Sequence, residues 1–384
     1  MSNIGGGEDT PPKYRTGISD SNRCVKHRDF SAELQRARAR ERNAHSPDMQ
    51  SINELLLSKV NEARKPTAWG TLGTIRPFPN FDPEMDAVNL VAAIKSKDTG
   101  AIVQILTNRS STQRQLIARL YRTTAAQDLL SDLQGALSGD LKSVIVGLMT
   151  TPSRFDATEL RRALKGIGTD EDTLIEILCT RDNKQLHEII TAYKQEFNRD
   201  LEQDIADDTS KDFQRLLLAL AKGTRENNTD WIDYRLIDHD AKTLYEAKAN
   251  SKTPNPDPWI QILTERSTDH LDRVFQKYID YSSEEIEKTI QTDFSGDLGN
   301  ALLSLVSAIQ NTPIYLAGNL QEAMKGSRAA PLIRILVSRS ETDLLSIRVE
   351  YRKKYGVSLY TALQGEAKGD YLKALLALCR AEDL

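Results

Sequence analysis

Four arginines, Arg109, Arg181, Arg266 and Arg339, each follow an apolar helical segment and precede a polar break, at separations of 72, 85 and 73 residues. A second landmark is the aspartate of Gly139-Asp140-Leu141, Lys211-Asp212-Phe213, Gly296-Asp297-Leu298 and Gly369-Asp370-Tyr371. It recurs at the same 72, 85 and 73. Two landmarks with identical spacings mark four homologous units. No other feature of the chain constrains its fold as much. The excess before the third unit falls in the polar stretch from Gly223 to Asp238 and in the loop around Lys252.

Within each unit the apolar pattern is helical. In the last, Leu332, Ile333, Ile335 and Leu336 form one segment and Leu372, Leu375, Leu376 and Leu378 another. Almost nothing alternates with period two, so the expected class is all-α, with roughly five short helices per unit. Thr150-Thr151-Pro152-Ser153 and Asn311-Thr312-Pro313 supply proline-compatible breaks. The expected division is an N-terminal region over 1–73 and units over 74–151, 152–223, 224–311 and 312–384, the third carrying the long linker.

The N-terminal region differs from the rest. Its Gly-, Pro-, Ser- and charge-rich start reads as disordered. Arg36, Arg38, Arg40 and Arg42 alternate, which spreads them around a helix instead of making one basic stripe. A solvated arm explains them better than a contact with anionic lipid or RNA. Ile52, Leu55, Leu56 and Val60 share one apolar face and predict a helix over 48–64 that docks on the core or on a partner. Thr74 to Asp82 is a proline-punctuated lead-in.

A net charge of −4 supplies no global basic field, and nucleic acid is an unfavoured partner. Cys24, Cys179 and Cys379 are too few and too widely spaced for a disulfide or zinc framework, so a reducing cytosol is the expected compartment. No apolar run is long enough to span a bilayer, and the start lacks the apolar core of a signal peptide. Membrane contact is therefore expected to be peripheral, and any extracellular form would need unconventional export.

The segment Leu164-Lys165-Gly166-Ile167-Gly168-Thr169-Asp170-Glu171 opens the second unit's chemistry. Gly166 and Gly168 let the backbone turn sharply between two helices. Such a turn can aim several carbonyls at one point, and calcium takes oxygen ligands, often carbonyls with one bidentate carboxylate. Asp208, 42 residues after Gly166, returns to the same place if the intervening helices fold back. Leu164, Gly166 and Gly168 are then the carbonyl candidates and Asp208 the carboxylate. Taken alone, the Gly-x-Gly-Thr tetrapeptide also fits an ordinary helix-connecting loop. A nucleotide site fits less well, with no third glycine in register and no preceding strand.

This segment resembles an annexin repeat, whose signature Lys-Gly-x-Gly-Thr-Asp-Glu is followed at this distance by an acidic residue before Thr-Ser. The likeness continues through Ile175 to Arg181 and Phe213 to Leu217, and covers residues 74 to 381 in all. It implies a curved disc of four five-helix repeats with calcium loops on the convex face. By the same resemblance Thr169 and Glu171 belong to a second, weaker ion position; helix capping by Thr169 and a favourable dipole for Glu171 is the competing account. Asp156, Glu176, Arg181 and Arg334 match positions lining a hydrophilic passage, where paired charges fix packing.

The other three loops are unequally equipped. The first, Ile94 to Gly100, lacks both glycines, and Ala136 stands at its acidic position; it is expected to be dead. The third, Ser251-Lys252-Thr253-Pro254-Asn255-Pro256-Asp257, loses the glycines but keeps Asp293, so Ser251, Thr253 and Asp293 are its candidate ligands. The fourth, Met324-Lys325-Gly326-Ser327-Arg328, is short, with Met324, Gly326 and the distant Glu366 as candidates and Arg328 adding positive charge.

The implied function is calcium-dependent binding to anionic phospholipid such as phosphatidylserine, as a peripheral scaffold or bridge. One carboxylate per site makes calcium binding weak. A lipid phosphate oxygen in an open coordination position makes ion and membrane raise each other's affinity equally, and several loops add by avidity. With one to three working loops, calcium demand is expected to exceed that of a fully equipped annexin. The alternative is an annexin-shaped interaction module that reaches a protein or nucleic-acid partner through residues 1–73, largely without calcium. His27, His45, His187, His239 and His270 form no zinc or nucleophile pattern, and no enzyme is expected. The oligomeric state does not follow from the sequence.

Overall fold

The computed structural model describes residues 72–166, 168–229, 231–249 and 254–381, all within the compact unit Pro47–Leu384. The expected helix over 48–64 and the arginine arm lie outside the described residues, as do Ser251 and Thr253.

Among the described residues the secondary structure is helical throughout, with no strand. The first unit contains α1 (Pro83–Ser96), α2 (Thr99–Leu106), α3 (Ser111–Ala125), α4 (Leu129–Ala136) and α5 (Gly139–Met149). The second contains α6 (Pro152–Ala163), α7 (Glu171–Thr180), α8 (Asn183–Phe197), α9 (Leu201–Asp208) and α10 (Lys211–Ala221). The third contains α11 (Tyr234–Ala249), α12 (Pro256–Glu265), α13 (Thr268–Ser282) and α14 (Ile286–Asp293). Next, α15 (Gly296–Lys325) crosses from the third unit into the fourth, which ends with α16 (Ala329–Arg339), α17 (Leu344–Tyr355), α18 (Leu359–Glu366) and α19 (Gly369–Cys379). The expected break at Asn311-Thr312-Pro313 is a kink inside α15. Asn311 leaves helical backbone (φ −159, ψ 91), and its side chain accepts from Ile314 N at 2.9 Å. Five helical segments per unit are thus preserved.

Local chemistry explains where the helices begin. Asp82 accepts from two N–H groups at the start of α1, with Pro83 in the first position. Ser110 with Gln113 and Asp182 with Gln185 form reciprocal capping boxes on α3 and α8. The last helix of each unit starts in left-handed backbone, at Gly139 (φ 57), Lys211 (φ 58), Gly296 (φ 63) and Gly369 (φ 62). Glycine accepts that geometry freely, whereas Lys211 carries a Cβ there.

The repeating arginines have a structural explanation. Arg109 pairs with Asp86 on α1 at 2.6 Å, Arg181 with Asp156 on α6 at 2.7 Å and Arg266 with Asp240 on α11 at 2.7 Å. Each pair ties its unit's second helix to its first. In the fourth unit Leu316 stands where the aspartate would be, and Arg339 turns to Asp343 at 2.6 Å.

Side chains bury into two apolar cores rather than four. One joins the first and fourth units, with Leu90, Ile117 and Val144 packed with Leu320, Leu336 and Leu375. The other joins the second and third, with Leu174, Ile205 and Leu216 packed with Trp259, Val274 and Leu302. The linker before α11 is pinned by Arg225, which donates to the carbonyls of Arg266 at 2.7 Å and Leu263 at 2.8 Å.

Candidate cation-binding loops

In the second unit α6 ends at Ala163 with Leu164 as its C-cap. The loop is closed by Asp170 N–H donating to Ala163 O at 3.0 Å. Gly166 and Gly168 between them hold φ of 145 and 86. A Cβ at either would meet nothing within 4 Å, so backbone conformation and not crowding calls for glycine. Lys165, Gly166 and Gly168 are exposed.

Asp208, the last residue of α9, comes back onto this loop. Its Oδ2 accepts from the Thr169 hydroxyl at 2.7 Å, and the same hydroxyl lies 3.2 Å from the Asp208 carbonyl oxygen. Thr169 therefore spends its hydroxyl on Asp208. The cap of α7 is Asp170, whose carboxylate accepts from Thr173 N at 3.1 Å and from the Thr173 hydroxyl at 2.8 Å. Glu171 is the first residue of that helix, where a carboxylate complements the dipole.

Asp204, one turn before Asp208, anchors the same helix. Asp204 is buried and accepts from Arg161 at 2.9 Å and Arg199 at 2.8 Å. The Tyr193 hydroxyl adds a third donor at 2.5 Å. The hydrogen bond from Arg199 holds its carboxyl below the usual range, against the opposing pull of burial.

The first and fourth loops close on their own groups. In the first, Lys97 N–H donates to Ile94 O at 3.2 Å and Asp98 N–H to Ala93 O at 2.9 Å, and Lys97 is left-handed. Ala136 ends α4 opposite it without a carboxylate. In the fourth, Ser327 N–H donates to Met324 O at 2.9 Å and Arg328 N–H to Ala323 O at 2.8 Å. Gly326 is exposed, Glu366 is exposed at the end of α18, and the Arg328 guanidinium lies 3.8 Å from Asp172. In the third, Asp293 Oδ2 lies 3.1 Å from the Lys248 ammonium. The expectation for that loop overlooked Lys248. The available signal was a lysine eight residues after Asp240, where the second unit has Leu164 eight after Asp156.

Between the two cores runs a polar seam. Arg334 on α16 donates through Nε and Nη2 to the Glu176 carboxylate at 3.0 and 2.9 Å, and through Nη1 to the Thr173 hydroxyl at 2.7 Å. Burial opposes the Arg334 charge, but Glu176 and Glu159 outweigh it and raise its pKa. Arg114 meets Glu341 at 2.9 Å and ties the first unit to the fourth.

Among the described residues no three His, Cys, Asp or Glu side chains converge as a metal cage. The second loop instead brings one carboxylate onto an exposed glycine turn, and carboxylate and backbone oxygens are the ligands a hard cation takes. Burial pushes the Cys179 thiol up to about 12, the opposite of an activated thiolate. No helix among the described residues is long and apolar enough to cross a membrane.

The fold and its loops define a four-repeat helical protein in which a carboxylate distant in sequence meets a glycine turn of the second unit. The family model described as annexin matches residues 85–148, 155–220, 239–305 and 315–378. Annexin A9 of Homo sapiens is 46% identical over 338 residues, 87% of this chain and 97% of that protein. The solved structure of annexin III superposes with a TM-score of 0.80 at 40% identity, covering 83% of this chain and all 100% of that one. A calcium-bound annexin (Sm)1 follows at 0.73 and 28% identity, over 80% of this chain and 92% of that one. The chain belongs to the annexin family, known for calcium-dependent phospholipid binding.

Proposed function

We propose that this protein binds anionic phospholipid surfaces, such as phosphatidylserine membranes, in a calcium-dependent way from the cytoplasm, as a peripheral scaffold or bridge and not as an enzyme. The carbonyls of Leu164, Gly166 and Gly168 and the carboxylate of Asp208 would hold the ion. Thr169 orients Asp208, and Glu171 adds negative charge beside it. Calcium, when bound, supplies a hard positive centre with positions left open to a phosphate oxygen. The contact of Thr169 with Asp208 at 2.7 Å carries the reading, because it brings the distant carboxylate onto the glycine loop. Met324, Gly326 and Glu366 form a weaker candidate, since Arg328 stands within that loop and the Met324 carbonyl already accepts Ser327 N–H.

Sedimentation with phosphatidylserine vesicles tests this. Pelleting is expected to require calcium and to fall sharply in Asp208→Ala. Equal pelleting in chelator, lost on deleting residues 1–73, would replace this reading with calcium-independent partner binding through the N-terminal region.

A further inference from the structure

Asp293 occupies the place in the third unit that Asp208 occupies in the second. Each ends its unit's fourth helix, three residues before the left-handed residue that starts the fifth. Asp208 looks onto a loop hydroxyl. Asp293 looks instead onto the Lys248 ammonium, 3.1 Å from its Oδ2. That oxygen is sealed from solvent and has no aligned hydrogen-bond donor, and the ammonium faces it as an ion-pair partner. The pair is largely covered, with 33% of the Lys248 and 17% of the Asp293 side chain exposed. Lys248 replaces Leu164 in register, and it comes from the end of the helix that should lead into the ion loop.

We propose that Lys248 is a built-in cation: in the third unit its ammonium takes the place on Asp293 that calcium would take, so this carboxylate is withheld from calcium at all calcium concentrations. Calcium must approach a carboxylate oxygen to about 2.3–2.6 Å. An ammonium already at 3.1 Å from that oxygen would face the entering ion as a like charge. A free cation also loses its freedom on binding, whereas a lysine tethered on the neighbouring helix has already surrendered most of it to the fold. The residues of the third unit therefore do not fit a calcium site. The specificity of the face for calcium rests on the second unit, and this inference depends on the reading of that unit given above.

The test is calorimetric titration of calcium into the full chain with phosphatidylserine vesicles. Lys248→Met, which keeps the stem and drops the charge, should add one bound ion per chain. It should also lower the calcium needed for half-maximal pelleting by roughly threefold, as a second loop adds avidity. Lys248→Arg, which keeps the charge, should add no ion. In an Asp208→Ala background, Lys248→Met should restore calcium-dependent pelleting, and a further Asp293→Asn should remove it. Circular dichroism melting confirms that each variant is folded. The proposal is overturned if folded Lys248→Met gains no ion, or if Asp208→Ala keeps an ion that Asp293→Asn then removes. An equal ion count in the unsubstituted protein and Asp208→Ala would instead overturn the reading of the second unit.

Discussion

Arg334 and Glu176 face each other across the boundary between the two apolar cores, 158 positions apart in the chain and 2.9 Å apart in space. Both side chains are only 2% exposed. The guanidinium is used on three sides, by Glu176, by the Thr173 hydroxyl and by Glu159 at 3.8 Å. It ties the fourth unit to the second, and a shift in register there would leave a buried charge without its partner.

Removing one partner of that pair should therefore cost far more than removing both. Glu176→Gln leaves a buried guanidinium short of a counter-charge and should destabilise by about 3–5 kcal/mol. The double variant Glu176→Gln, Arg334→Met should recover a large part of it. Denaturant unfolding of the singles and the double checks this, and equal losses in all three would refute it.

Gly168→Ala separates loop shape from fold stability. The added methyl meets nothing within 4 Å, but φ of 86 is unfavourable to it by roughly 1–2 kcal/mol. The loop is expected to shift toward other backbone angles and lose carbonyl alignment. Calcium-dependent pelleting should weaken while the melting temperature moves little, since the loop is exposed. A full calcium response in Gly168→Ala would mean that the carbonyls do not take part.

Lys211 offers the opposite experiment. It occupies with φ 58 the position that glycine holds in the other three units. Lys211→Gly should stabilise the protein by roughly 0.5–1 kcal/mol, the relief of left-handed strain less the extra freedom of an unfolded glycine. The midpoint of chemical denaturation reads the change, and a lower midpoint would contradict it.

Acid should act through Asp204. Its carboxyl is held below the ordinary range, chiefly by the hydrogen bond from Arg199. Folding thus favours the ionised form. The resulting stability is complete above the unfolded carboxyl pKa of about 4 and is lost as pH falls through the lower folded value. In Asp204→Asn the stability–pH curve should be shallower below about pH 4 by the contribution of one group. Because Asp204 anchors α9, the same variant should weaken calcium-dependent pelleting at neutral pH by displacing Asp208.

Much of this architecture was legible in the sequence because it is written locally and repeated. The arginine landmark reports a helix-to-helix ion pair in three units, and the aspartate landmark follows a left-handed residue that any reader can align. The all-helical class and the return of Asp208 to the glycine turn belong to the same level. The pairing of units into two cores was not legible, because helical periodicity shows which face is apolar and not what covers it. Arg339 gave no warning either: its spacing matches the others although Leu316 has removed its usual partner and Asp343 serves instead. Lys248 was missed for a related reason. A ligand search looks for oxygens, and the group that decides the third loop is a nitrogen.

The sharing of one core by the first and fourth units sets the order in which the chain can mature on the ribosome. The first unit emerges early, yet the flank it presents to Leu320, Leu336 and Leu375 stays wet until the last helices are made. The second and third units complete each other in immediate succession. Synthesis thus lets the second and third units pair before the fourth can cover the first, and an apolar flank left open in that interval is the kind of surface on which unfinished chains associate.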